Sequence, residues 1–268
     1  MDGTLYLDEQ LFDGAAEFLS YIREMGGTYL YLTNHSSKGV DAYVAKMRRL
    51  GIEATEADFL TSVDVTVHYL LKNKGPEDVY YVCGTESFKS QLRRAGLTLA
   101  DTPDERVTTV LAGFDTELTF QKLEDACILL NRGADFIATN PDWVCPTWYG
   151  YVPDCGSVCE MLTRATSRVP RVLGKPQPEM VYLAMERAGF SAEQAVIIGD
   201  RLYTDVACGL NAGIDGILVL SGESTMDTVA ASDVKPTAIY DNVARLLEQL
   251  RQANRAFSPY QTQKESHI

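Results

Sequence analysis

Apolar positions recur along this chain at two periods. Over residues 12–25, Phe12, Ala15, Leu19, Ile22 and Met25 fall three and four apart, the spacing that keeps side chains on one face of a helix. The same spacing predicts helices over 38–50, closed by Gly51, and over 61–73, 86–95, 119–131, 177–188 and 203–212. Val243, Leu246, Leu247 and Leu250 form the seam of a last helix. Between these lie short apolar runs bounded by turn residues: 28–32 (TYLYL), 79–83 (VYYVC), 107–112 (VTTVLA), 135–139 (DFIAT), 195–198 (AVII), 216–220 (GILVL) and 237–240. Each predicts a buried strand.

Strands alternating with helices predict an α/β fold built on a parallel, doubly wound sheet. The stretch 79–173 reads differently. Its strands are richer in Thr, Tyr and Gly, and residues 140–157 (NPDWVCPTWYGYVPDCGS) are dense in turn formers. The pattern predicts a core domain from 1–78 and 174–254, an inserted α/β domain at 79–173, and a polar tail at 255–268.

Composition narrows the function classes. The 268 residues are 46% hydrophobic and 23% charged, ordinary for a globular protein, and no apolar run approaches the roughly 18 residues of a membrane span. The first residues carry no basic stretch followed by an apolar one, so no secretion signal is expected and the cytoplasm is the expected compartment. The formal net charge of −13, with Lys and Arg scattered, argues against nucleic-acid binding, which needs clustered cations. The six cysteines show no C-x-x-C pair; buried free thiols are expected.

In open α/β sheets, ligands bind beyond the carboxyl ends of the strands. Four strand-end segments carry suitable chemistry. Asp2-Gly3-Thr4 places a carboxylate beside a glycine that permits a tight turn. Thr33-Asn34 closes TYLYL with a hydroxyl and amides able to hold an anion's oxygens. Gly174-Lys175-Pro176 offers an ammonium at a helix start, and is not a P-loop. Asp200 follows AVII directly and Asp205 lies five residues on, a carboxylate pair suited to Mg²⁺, a hard cation that prefers oxygen ligands. Taken singly, each is equally well a turn, a helix cap or a solvated charge. Together they fall in order, each at a strand end or helix start.

In that order they resemble the haloacid dehalogenase (HAD) superfamily phosphatases, whose pattern is D-x-D-G-T, a strand ending in Thr or Ser, a Lys, and an acidic pair such as G-D-x-x-x-x-D. The insertion between Thr33 and Lys175 resembles the large α/β cap of the 4-nitrophenylphosphatase-like and acid sugar phosphatase-like enzymes, as do Ala138–Asp142, Pro146-Thr147 and Pro153–Ser157. The resemblance runs from Met1 to about residue 250 and implies a Mg²⁺-dependent phosphomonoesterase acting on a small phosphorylated substrate. It implies an aspartyl-phosphate intermediate, with Asp2 as general acid and base whose backbone carbonyl also reaches the metal. It implies Asp200 and Asp205 as metal ligands, Thr33 and the Asn34 amide on the transferring oxygens, and Lys175 neutralising charge. Asn140, Asp142, Asp154 and Ser157 are the polar candidates for substrate recognition. Trp143, Trp148, Tyr149 and Tyr151 either pack the cap or wall the substrate. The cap surface admits a homodimer.

The departure lies at the start. The pattern's first Asp, the nucleophile, stands two positions before its second; Asp2 matches the second, and only Met1 precedes it. The expectation is an N-terminally truncated sequence, lacking the first core strand and severely impaired in turnover. A catalytically inactive phosphate-ligand binder is one alternative, and replacement of the nucleophile by another residue, with Asp8 nearby in sequence, is a second.

Overall fold

The computed structural model describes residues 1–257; the rest of the polar tail, 258–268, lies outside the described residues. In chain order the elements are β1 (Tyr6–Leu7), β2 (Gln10–Leu11), α1 (Ala15–Glu24), β3 (Tyr31–Thr33), α2 (Val40–Arg49), β4 (Phe59–Thr61), α3 (Ser62–Asn73), β5 (Val79–Cys83), α4 (Glu86–Arg94), β6 (Thr98–Ala100), β7 (Val107–Ala112), α5 (Phe120–Asn131), β8 (Asp135–Ala138), β9 (Val144–Thr147), β10 (Gly150–Pro153), α6 (Cys155–Thr166), β11 (Arg171–Val172), α7 (Glu179–Ala188), β12 (Val196–Gly199), α8 (Ala207–Asn211), β13 (Asp215–Val219), α9 (Met226–Ala231), β14 (Ala238–Tyr240) and α10 (Val243–Phe257). The described residues divide into two compact units, one of residues 1–29, 46–53 and 191–257 and one of residues 30–45 and 54–190.

The first unit holds a three-stranded parallel sheet, β12-β13-β14, and the antiparallel β1-β2 hairpin. Leu202, Val206, Leu218 and Val229 pack on that sheet with Leu220, Val234 and Ile239. The helical spacing predicted from Phe12 begins only at Ala15, because Gly14 takes a left-handed φ of 79° and turns the chain. The predicted helix at 203–212 starts as a π-turn over Leu202–Val206 and continues as α8. Such turns add a residue to the helical cycle and recur at functional sites.

The second unit is organised around a five-stranded parallel sheet in the order β11-β8-β7-β5-β6, with β3-β4 as a separate parallel pair. Its core sets alternate residues of β5, β7 and β8 (Val79, Tyr81, Cys83, Val110, Ala112, Phe136) against Ala126, Leu129 and Leu130 of α5 and Cys155, Val158, Cys159 and Leu162 of α6. Each buried aliphatic side chain there contributes roughly 1.5–3 kcal/mol relative to exposure. Thr61 and Thr85 cap α3 and α4 by accepting from the backbone N–H groups of Asp64 and Phe88.

Strands β5 and β7 fall where the apolar runs predict them. The stretch 140–157 departs from its loop reading. It contains the β9-β10 hairpin and the first turn of α6. Asp154, the N-cap of that helix, hides among turn formers, and Cys155, Val158, Cys159 and Leu162 supply an apolar stripe behind it. The strand predicted at 28–32 is shifted onto Tyr31–Thr33, which brings Thr33 into the strand's last position.

Candidate functional site

In the first unit, the turn at Asp2-Gly3-Thr4 meets the end of β12. Gly3 adopts φ 76° and donates its N–H to the Tyr6 carbonyl at 2.8 Å. Thr4 follows and donates its hydroxyl to Asp200 Oδ1 at 3.2 Å. Asp200 is 5% exposed. Its other oxygen, Oδ2, accepts from the Glu223 backbone N–H at 3.0 Å, and its carbonyl accepts from the Ser224 N–H at 3.1 Å. Ser221 Oγ donates to the Gly3 carbonyl at 2.7 Å, tying the loop after β13 to the turn at residue 3. A Cβ on Gly3 or Gly222 would overlap the Asp200 carboxylate, and one on Gly199 would overlap Asp205. The three glycines therefore leave room around both acidic side chains where any other residue would fill it.

Asp2 lies beside this cradle. Partial burial raises its carboxyl above the ordinary range, Lys46 opposes that at 3.8 Å, and Asp8 and Asp200 add to the rise. Lys46 also lies over the Tyr6 ring, 4.2 Å from its centroid, a cation–π contact that fixes its ammonium. A carboxyl raised above its ordinary range is a better proton donor to a leaving group than an unperturbed one.

For a divalent cation the donor set is hard and anionic. Among the described residues, no three His, Cys, Asp or Glu side chains converge on one point. Mg²⁺ does not require that: it keeps several waters and takes one or two carboxylates. Asp200 and Asp205, in their glycine-lined surroundings, fit that demand.

In the second unit, Thr33 ends β3 and its Oγ1 accepts from the His35 N–H at 3.2 Å. The hydroxyl keeps its own hydrogen to donate. Lys175 is 8% exposed and its Nζ reaches the Leu32 carbonyl at 3.5 Å, so the ammonium lies at the end of β3. The Asn34 side chain accepts from Lys175 N–H at 2.8 Å and donates to the Lys175 carbonyl at 3.0 Å and to Asp142 Oδ2 at 3.1 Å. Thr33, Asn34, Lys175 and Asp142 are thus brought together. His35 lies against the rings of Phe114 and Tyr43, and burial, helped by Lys38, pushes its imidazole down to about 4. It is a neutral packing residue at neutral pH.

The polar and aromatic residues singled out in 140–157 take varied places. Asn140 is 1% exposed; its Nδ2 donates to the Asn34 carbonyl at 2.9 Å and its Oδ1 accepts from the Asp142 N–H at 3.0 Å. Asp154 caps α6, and Ser157 Oγ donates to the Trp143 carbonyl. Trp143, Tyr149 and Tyr151 are exposed, and Trp148, at the hairpin turn, is 95% exposed, so none of the four packs the cap interior. Cys155 and Cys159 are buried, free, and 3.9 Å apart at sulfur. Burial pushes the neighbouring Cys83 thiol up to about 12; these are packing thiols.

Sequence reasoning missed the Ser221-Gly222-Glu223-Ser224 loop, which supplies the amides and the glycine around Asp200. Its signal was present: a cluster of turn residues directly after the strand GILVL.

The chain as a whole is similar to known proteins. The haloacid dehalogenase-like hydrolase family matches residues 1–98, and a second family, HAD-hydrolase-like, matches residues 172–246. An acid sugar phosphatase of Staphylococcus haemolyticus is 32% identical over 250 residues, 93% of this chain and 94% of that protein. This chain belongs to the haloacid dehalogenase-like hydrolases. Within that family it groups with phosphatases. A 4-nitrophenylphosphatase of Thermotoga maritima superposes with a TM-score of 0.87 at 38% identity, covering 92% of this chain and 94% of the other. A glycerol phosphate phosphatase of Mycobacterium tuberculosis, solved in complex with magnesium, superposes with a TM-score of 0.85 at 32% identity, covering 92% and 74%. No helix among the described residues is long and apolar enough to cross a membrane.

Proposed function

We propose that this HAD-type hydrolase is a Mg²⁺-dependent phosphomonoesterase acting on a small phosphorylated metabolite of the sugar-phosphate kind, through an aspartyl-phosphate intermediate. The observation that carries the reading is the Asp200 carboxylate, buried, held by Thr4 and the Glu223 amide, and kept clear by Gly3 and Gly222. A bound Mg²⁺ would supply positive charge to offset the phosphate oxygens, and Asp200 and Asp205 would hold it. Lys175 would neutralise further charge on the phosphoryl group, with Thr33 donating a hydrogen bond. Asp2, its carboxyl raised, would protonate the leaving alkoxide and then take a proton from the attacking water. Phosphoryl transfer asks mostly for positioning and charge stabilisation, and this reading assigns those tasks to these residues.

The nucleophilic Asp of D-x-D-G-T has no counterpart in the 268 residues. The names of the relatives support the substrate class: one is an acid sugar phosphatase and another a glycerol phosphate phosphatase.

The test is hydrolysis of 4-nitrophenyl phosphate and a panel of sugar phosphates, with and without Mg²⁺. It uses residues 1–268 and the same residues preceded by an apolar strand ending in Asp. The expected result is Mg²⁺-dependent turnover by the extended form. Failure of both folded forms on every ester would overturn the phosphatase reading and leave a binder of phosphorylated ligands.

A further inference from the structure

We infer that the Asn34 side chain is a positioning residue: it fixes the backbone of Lys175, and through it the ammonium, rather than touching the phosphate itself. The inference rests on the phosphatase reading for what Lys175 is positioned to do, and on the second unit's own geometry for how.

Three observations carry it. First, the Asn34 amide spans both faces of one residue, accepting from the Lys175 N–H at 2.8 Å and donating to the Lys175 carbonyl at 3.0 Å. A planar amide in that arrangement imitates a neighbouring β-strand and removes rotation of the Lys175 backbone. Second, the approach depends on Gly174. A Cβ there would lie 2.8 Å from Asn34 Oδ1 and would overlap the Thr139 carbonyl. Third, Asn34 is itself immobilised. Its carbonyl accepts from Ser62 Oγ at 2.7 Å and from Asn140 Nδ2 at 2.9 Å, and its Nδ2 also donates to Asp142 Oδ2 at 3.1 Å. The clamp is thus anchored on α3 through Ser62 and on the loop after β8 through Asn140 and Asp142. With the backbone of Lys175 fixed, only its side-chain torsions remain to place the ammonium, whose Nζ reaches the Leu32 carbonyl at 3.5 Å. A preorganised charge of this kind needs no rearrangement when the substrate's charge arrives.

Asparagine is suited here where aspartate is not. In Asn34→Asp the carboxylate keeps the acceptor for the Lys175 N–H, but it loses both donated bonds and places its charge against the Lys175 carbonyl and Asp142. Asn34→Asp is therefore a shape-preserving break of half the clamp, and Asn34→Ala removes all of it.

The experiment compares the full chain with Asn34→Ala and Asn34→Asp by amide hydrogen exchange read by mass spectrometry. It also titrates each with inorganic phosphate in the presence of Mg²⁺, adding Lys175→Ala and the Asn34→Ala/Lys175→Ala pair. The peptide containing Lys175 is expected to exchange about tenfold faster in both Asn34 variants, while β5, β7 and β8 keep their protection. Phosphate is expected to bind about tenfold more weakly to Asn34→Ala than to the parent, and no more weakly to the pair than to Lys175→Ala. Unchanged exchange at Lys175 would overturn the clamp. A further loss of affinity on the Lys175→Ala background would overturn the indirect role, because Asn34 would then touch the ligand. Loss of sheet protection in both variants would make Asn34 a folding residue and overturn the proposal equally. A parent that binds no phosphate would count against the phosphatase reading, and the exchange comparison would still decide the clamp.

Discussion

Asp200 and Lys175 carry opposite charges and are about equally buried, yet the chain surrounds them by different means. Around Asp200 the first unit uses absence and backbone: glycines at 3 and 222 clear the space, and the Glu223 amide with the Thr4 hydroxyl hold the oxygens. Around Lys175 the second unit uses a side chain: the Asn34 amide brackets the backbone while the ammonium lies at the end of β3. The difference follows from the groups. A carboxylate is short, so its position is set by what its two oxygens meet. An ammonium sits on a long flexible stem, so the stem must be fixed at its root, where less rotamer entropy is left to lose.

Predictions that break or sharpen this contrast are stated for the form of the chain that turns over 4-nitrophenyl phosphate. The largest effect is expected from Asp200→Ala. Turnover should fall by at least about a thousandfold, with weakened Mg²⁺ binding by calorimetry, because the proposed metal site would lose a buried carboxylate. A fall of less than tenfold would remove Asp200 from the metal site. Lys175→Ala should cost about a hundredfold in kcat/KM, with kcat reduced as well as KM raised, as expected for a charge that stabilises the transition state.

The glycines sharpen the contrast directly. At Gly174 the obstacle to a Cβ is a backbone carbonyl, and at Gly222 it is the Asp200 side chain. Gly174→Ala should therefore destabilise more, by about 2–3 kcal/mol in urea unfolding, because backbone yields less readily than a side chain. Gly222→Ala should cost less stability and more Mg²⁺ affinity. The reverse ranking would contradict the account of both cradles.

Acid stability isolates the second unit. His35 titrates near 4 when folded and near 6.5 when unfolded. Between those values the unfolded chain takes up a proton that the folded chain refuses, so this contribution is intact above about 6.5 and is lost as the pH falls toward 4. His35→Phe should flatten that part of the stability profile by about 2–3 kcal/mol, measured by urea unfolding at pH 4.5 and 7. The smallest effect is expected in the first unit. Lys46 lowers the Asp2 carboxyl against the rise caused by burial. Lys46→Met should therefore move the Asp2 limb of the pH–rate profile upward, and a downward movement would contradict its assigned influence.

Much of this was legible in the sequence. The strands at 79–83 and 107–112 were readable because buried parallel strands are apolar throughout and stand out without periodicity. The candidate residues Asp2, Thr33, Lys175, Asp200 and Asp205 stood out because they are short polar signals at strand ends or helix starts, where open α/β sheets bind ligands. The β9-β10 hairpin and α6 were not readable: their turn formers and exposed aromatics imitate a loop, and the apolar stripe of α6 becomes visible only once Asp154 is seen to cap it.

The sequence by itself determined the parallel α/β class and most of the strand–helix alternation, and it marked the candidate residues, because those depend on local period and residue type. Only the tertiary structure decided how the charges are held. The Ser221–Ser224 loop reaches Asp200, Asn34 brackets Lys175 across 141 residues, and Gly174 and Gly222 owe their roles to atoms distant in the chain. Such contacts leave no local period to read, because each is fixed by packing between segments far apart in sequence.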